Sequence, residues 1–162
     1  MEKTAAILII GNEILSGKVT DDNSPYLSRE LRNLGVDVKR LAVLPDEVEV
    51  IAEQIRTWVG QFHLIFTCGG VGPTHDDVTV AGIAKGLGKE IIRDPLLLAL
   101  VQELYPPPVT EAMLKLTEIP EGTELIMAEG LRYPVLAASN IYIFPGIPEL
   151  LRKKFSAIKE RF

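Results

Sequence analysis

The stretch Leu64-Ile65-Phe66-Thr67-Cys68-Gly69-Gly70-Val71-Gly72-Pro73-Thr74-His75-Asp76-Asp77 passes from an apolar run straight into a glycine-rich turn. Residues 64–68 read as a β-strand. Val80, Ile83, Ala84 and Leu87 then form a helical stripe, which predicts a helix over 76–87. Strand, glycine turn and helix together make one unit of an α/β fold, so the flanking sequence decides whether the unit repeats.

It repeats on the N-terminal side. Residues 5–10 are a continuous apolar run, as expected of a strand covered on both faces. Leu27, Leu31 and Leu34 share one face of a helix over 24–34, and Gly35 is a suitable stop. Residues 36–44 form a valine-rich strand. Asp46 is a cap for the next helix, which buries Ile51, Ile55, Trp58 and Val59. This alternation implies an α/β fold with a parallel sheet and right-handed crossovers. Towards the C-terminus the pattern loosens. Helices are predicted over 95–104 and 109–117, with a stiff elbow at Pro106-Pro107-Pro108. Strands are predicted over 124–127 and 141–144, and residues 128–140 fit a hairpin as well as a loop. A final helix carries Leu151, Phe155, Ile158 and Phe162. In that helix Arg152-Lys153-Lys154 reads as a solvated basic face complementing the helix dipole.

Composition limits the function classes. The 162 residues suit one domain over 1–162. The formal net charge is −5 and no basic stripe is visible, so a nucleic-acid partner is not expected. No segment approaches the ~18 consecutive apolar residues of a membrane span, so no membrane partner is expected. Cys68 is the single cysteine. It offers neither a disulfide nor zinc-ligand spacing, and it reads as a small buried filler in a reducing cytoplasm. Residues 5–10 are too short for a signal-peptide core, so the expected location is cytoplasmic.

Ligands of open α/β sheets bind beyond the carboxyl ends of the strands. The polar segments that reach that edge are Gly11-Asn12-Glu13 with Asp21-Asp22-Asn23, Pro45-Asp46, residues 69–77, and Pro145-Gly146-Ile147-Pro148-Glu149. Gly69, Gly70 and Gly72 let a ligand approach backbone N–H groups, and the following helix aims its dipole at the same place. This is phosphate-binding chemistry, although the spacing is neither a Walker A loop nor a dinucleotide fingerprint. Thr74, Asp76 or Asp77 could instead be a plain helix cap. Arrival of the other polar loops favours a ligand. The acids Asp76 and Asp77, with Glu13 and Asp22 nearby, would repel a phosphate unless a divalent cation such as Mg²⁺ or Mn²⁺ stands between them. Asp77, Glu13 and Asp22 are therefore candidate metal ligands, and Asp76 and Asp77 candidate catalytic groups. Gly69, Gly70, Gly72, Thr74, Thr79, Asn23 and Gly146 are candidate phosphate or ligand contacts. His75 could also donate to a phosphate.

The run from Thr67 to Thr79 resembles the signature of the molybdopterin-binding (MoaB/Mog-like) domain family. Ile10-Gly11-Asn12-Glu13-Ile14-Leu15-Ser16-Gly17 and Asp22-Asn23 look like the opening of its CinA branch. Residues 140–151, Asn-Ile-Tyr-Ile-Phe-Pro-Gly-Ile-Pro-Glu-Leu-Leu, are similar to the closing segment of the corresponding domain of eukaryotic FAD synthases. The resemblance implies a three-layer α/β/α domain with a mostly parallel sheet, usually a homo-oligomer. It implies one of several activities. The CinA branch is associated with metal-dependent hydrolysis of ADP-ribose, the FAD-synthase domain with hydrolysis of FAD, and the Mog branch with binding and adenylylating molybdopterin. Expected ligands are thus a divalent metal (Mg²⁺, Mn²⁺ or Co²⁺) with a small-molecule nucleotide, or a pterin. Asp76 stands where the Mog branch usually has a basic residue, which fits a metal-bridged diphosphate. Ala81 stands where the family often has an acid, which favours a non-catalytic nucleotide-binding module.

Overall fold

A computed structural model describes residues 2–162. The strands are β1 (Lys3–Ile10), β2 (Val36–Leu44), β3 (Leu64–Cys68), β4 (Ile91–Arg93), β5 (Glu118–Pro120), β6 (Glu124–Ile126), β7 (Val135–Ala138) and β8 (Ile141–Phe144). The helices are α1 (Asn12–Leu15), α2 (Asn23–Asn33), α3 (Val48–Trp58), α4 (Thr79–Leu87), α5 (Pro95–Leu104), α6 (Glu111–Lys115) and α7 (Pro148–Ile158). Six strands make the main sheet in the order β2-β1-β3-β8-β7-β6. β1, β2, β3 and β8 pair in parallel, and β7 and β6 add an antiparallel edge.

Alternation along the strands divides the core between the two faces of the sheet. Ala5, Ile7 and Ile9 of β1 face Leu27 and Leu31 of α2 and Leu151, Phe155 and Ile158 of α7. Ala6, Leu8 and Ile10 face Ile51, Ile55 and Trp58 of α3, Ile83 of α4 and Leu97 of α5. The result is a three-layer α/β fold. Phe66 sits at the centre of the first face, with ring centroids 6.2 Å from Phe144 and 6.1 Å from Phe155. All three rings are fully buried, each worth about 2–3 kcal/mol in apolar area removed from water.

Strand register positions the site. Ile10 pairs with Leu44, Ile9 with Cys68, and Cys68 with Phe144. Gly11 N–H donates to Leu44 O at 3.0 Å, and Gly69 N–H to Phe144 O at 3.1 Å. Four strands therefore end at nearly one level, and the loops that follow them rise from one edge.

Several local expectations are corrected. The helix after the glycine turn begins at Thr79, not 76, because Thr74 and Asp77 bond to each other and hold the preceding residues in turns. Asp46 does not cap α3, since its carboxylate accepts from Asn12 instead. The helix predicted over 109–117 shortens to α6, whereas residues 128–140, left open between hairpin and loop, contain β7, which pairs antiparallel with β6 and β8. The small antiparallel sheet of β4 and β5 has strands of three residues, too short for a period to register. Lys154 does not lie on a solvated face: it is 8% exposed. Among the described residues, no helix is long and apolar enough to cross a membrane.

Candidate functional site

Close backbone approach explains the glycine turn. Gly69 has φ 99° and Gly70 φ 70°, a region that side chains disfavour. A Cβ on Gly69 would lie 2.3 Å from Ile10 O, and one on Gly70 2.2 Å from Thr79 Oγ1. Thr79 straps the turn down: its hydroxyl donates to Gly69 O at 2.8 Å and its N–H to Gly70 O at 3.1 Å. Thr79 is fully buried, so the residue expected as a ligand contact instead holds the turn that would make the contact.

Asp77 organises the next segment. One carboxylate oxygen, Oδ2, accepts from Thr74 N–H at 3.0 Å and from Thr74 Oγ1 at 2.8 Å. The same carboxylate packs on Gly72, where a Cβ would meet Oδ2 at 2.8 Å. Lys115 Nζ, arriving from α6, donates to Thr74 O. His75 and Asp76 are exposed and lie 3.4 Å apart, Nε2 to Oδ1.

A cleft of about 510 Å³ opens beside the turn, lined by Asn12, Glu13, Ser16, Lys18, Asp46, Gly70, Asp76 and Asp77. Its residues come from the loops after β1, β2 and β3. Asn12 and Asp46 pair reciprocally: Asn12 N–H donates to Asp46 Oδ2 at 3.0 Å, and Asp46 N–H to Asn12 Oδ1 at 3.1 Å. Glu13 folds over Gly11, where a Cβ would lie 2.4 Å from Glu13 Oε1. Carboxylates thus outnumber the single lysine of the cleft, Lys18. No three His, Cys, Asp or Glu side chains are grouped closely enough to cage a metal ion among the described residues.

The predicted residues separate into those that line the cleft and those that support it. Glu13, Gly70, Asp76 and Asp77 line it. Gly69, Gly72, Thr74 and Thr79 shape the turn. Asn23 is 8% exposed and does not line the cleft; its Nδ2 donates to Gly146 O at 2.9 Å, tying α2 to the loop after β8. Gly146 packs on Gly69, its would-be Cβ 3.3 Å from Gly69 Cα. Asp22 is exposed and lies outside the cleft lining, which corrects its grouping with Glu13 and Asp77. Its neighbour Asp21 takes the local hydrogen bonds, from Asn23 N–H at 3.1 Å and Ser24 N–H at 3.0 Å. Asp46, Asn12 and Ser16 line the cleft without being predicted as ligand contacts. The available signal for the first two is their position immediately beyond the paired ends of β1 and β2.

Burial pushes the Cys68 thiol far above its usual range, consistent with a core filler and not a nucleophile.

Comparison with known proteins places this geometry among relatives. A family described as "Probable molybdopterin binding domain" matches residues 6–161. The crystal structure of a CinA protein of unknown function from Thermoplasma acidophilum superimposes with a TM-score of 0.89 at 29% identity, covering 98% of both chains. The molybdopterin biosynthesis enzyme MoaB of Thermus thermophilus gives a TM-score of 0.63 at 20% identity over 98% of this chain and 90% of that one, a likeness of fold alone. A probable FAD synthase of Caenorhabditis elegans is 31% identical over 181 aligned residues. The alignment takes in 98% of this chain and only 35% of that protein.

Proposed function

The chain belongs to the molybdopterin-binding domain family, in its CinA-type, MoaB/Mog-like form, and on that premise we propose that it is a metal-dependent nucleotide pyrophosphatase acting on ADP-ribose, FAD or a related dinucleotide. One observation carries the reading: the backbone of Gly70 and the carboxylates of Glu13, Asp76 and Asp77 open into one cleft.

The donor set suits a hard divalent cation, since the cleft offers carboxylate oxygens with no thiol or imidazole in its lining. The lack of a ready cage of three acids is compatible with Mg²⁺ chemistry, in which one or two carboxylates share the ion with substrate phosphates and water. Mg²⁺, Mn²⁺ or Co²⁺ held there would neutralise diphosphate charge and lower the pKa of a bound water.

The chain's own groups do the rest. Gly70 exposes backbone to the phosphates at close range. Thr74 fixes Asp77 through one oxygen, which orients the carboxylate without consuming the other. Glu13 and Asp76 keep negative charge at the rim, so a diphosphate binds only with its counter-ion. Water attacks one phosphorus and the bridging P–O bond breaks, giving AMP and a second phosphomonoester. Resemblance to a protein named as a probable FAD synthase supports including FAD among the substrates tried. The test is incubation with ADP-ribose and with FAD in Mg²⁺, Mn²⁺ or Co²⁺, with chromatographic detection of AMP. No AMP under any of these conditions sinks the proposal.

A second reading, a molybdopterin-binding or adenylylating protein, draws on the description of the family itself. Retention of a pterin through dialysis, with both dinucleotides intact, would favour it. Homo-oligomerisation belongs to the same proposal and is checked by sedimentation.

A further inference from the structure

On the other side of the glycine turn lies a pocket of about 310 Å³ that shares no lining residue with the acidic cleft. Val71 reaches it from the turn. Val80, Val101, Leu116, Leu136 and Ile143 supply apolar walls. Despite the chain's net charge of −5, the charged groups lining this pocket are mostly cations: Lys115 of α6, Arg132 before β7, and Lys153 and Lys154 of α7, against Glu118 of β5.

Lys154 is the unusual member. It is 8% exposed. Its Nζ donates to Pro134 O at 3.3 Å and lies 5.1 Å from the centroid of the Tyr133 ring. Neither partner carries negative charge, and no carboxylate among the described residues lies within ion-pair distance. A buried cation without a counter-ion is costly, and such groups ordinarily appear paired. Burial accordingly lowers its pKa to about 8. The Tyr133 hydroxyl cannot supply the missing charge, because it donates to Leu116 O and burial pushes its own pKa up.

We infer that this pocket binds a small apolar organic anion, a ring or short acyl body bearing a carboxylate, with Lys154 as counter-ion and the aliphatic walls holding the body. Its size falls at the lower end of small-molecule sites. A monocarboxylate matches one buried ammonium. A phosphate dianion would bring more charge and hydration than the apolar walls can replace. The inference is independent of the pyrophosphatase reading, because the two sites use different residues.

The test uses a matched pair, 2-naphthoate and the neutral 2-naphthalenemethanol, followed by fluorescence or calorimetry on the intact chain at pH 7. Naphthoate should bind about tenfold or more tightly than the alcohol. Lys154→Met, nearly isosteric, should remove that preference while leaving the alcohol unaffected. Because the titratable and charged groups Tyr133, Arg132, Lys115, Lys153, Tyr105 and Glu118 line the same pocket as Lys154, the pH series is run on both proteins. Naphthoate affinity should fall between pH 8 and 10 in the wild type more steeply than in Lys154→Met. Val101→Trp, which fills the pocket, should weaken both probes. Equal affinity for the two probes, an unchanged preference in Lys154→Met, or binding that survives Val101→Trp would overturn the inference. So would displacement of naphthoate by inorganic pyrophosphate, which would place the probe in the acidic cleft.

Discussion

Carboxylates face water on one side of the glycine turn, whereas an ammonium faces hydrocarbon on the other. The two regions meet at consecutive residues of the turn, Gly70 lining the cleft and Val71 the pocket. In the cleft, Glu13 and Asp76 are exposed and Asp77 is half-buried, so their charges stay hydrated at little cost while no ligand is bound. In the pocket, Lys154 is largely withdrawn from water and receives only a carbonyl and the face of the Tyr133 ring in return. Only the pocket's buried charge lacks compensation; in the proposed readings the cleft takes a small cation carried with a phosphate, and the pocket an anion carried on an apolar body.

The largest expected effect breaks both regions together. Gly69→Ala combines a positive φ with a contact to Ile10 O that cannot move aside, and should cost about 3 kcal/mol or more in urea unfolding. Gly11→Ala sharpens the comparison, since the atoms nearest its new methyl belong to the flexible end of the Glu13 side chain. Stability should stay within about 0.5 kcal/mol while the cleft alone is disturbed. Next in size, Asp77→Asn should reduce dinucleotide turnover by about 10²-fold or more, measured as AMP release, and leave naphthoate binding in the pocket unchanged.

Lys154→Met acts on the other side and through pH. The folded pKa is about 8, below the roughly 10.4 of an exposed lysine, so between these values the unfolded chain holds the extra proton. Wild-type stability should therefore gain on the order of 1–3 kcal/mol relative to the Met variant as pH rises from about 8 to roughly 10.4, read from paired denaturation curves. The smallest effect is expected from Asp22→Asn. Outside the cleft lining, it should change turnover by less than about twofold, whereas Asp46→Asn should change it more.

The parallel half of the fold was legible because long apolar runs and leucine stripes carry their own period. Leu27 and Leu31 located α2, and the run through Ile10 located β1. The glycine turn was equally plain, since Gly69 and Gly70 need backbone angles that few other residues adopt. What stayed hidden depends on contacts between distant segments. Nothing local to Asp46 tells that Asn12, rather than its own helix, will take its carboxylate. Of the three neighbouring cations in Arg152-Lys153-Lys154, the helical period puts Lys154 on the face of Leu151, Phe155 and Ile158, but it does not tell what that residue meets there. That is set by the crossing of α7 over residues 133–134, a segment whose path the sequence left open. Nearness in sequence groups Asp22 with the cleft acids, whereas Asn23 ties that segment to Gly146 instead.

The most direct measurement is calorimetric binding of a non-cleavable methylene analogue of ADP-ribose, with and without Mg²⁺, to the wild type and to Asp77→Asn. Mg²⁺ should tighten binding about tenfold or more in the wild type and far less in the variant. Equal affinity with and without the metal, or an undiminished metal effect in Asp77→Asn, would contradict a cation held between these carboxylates and a diphosphate.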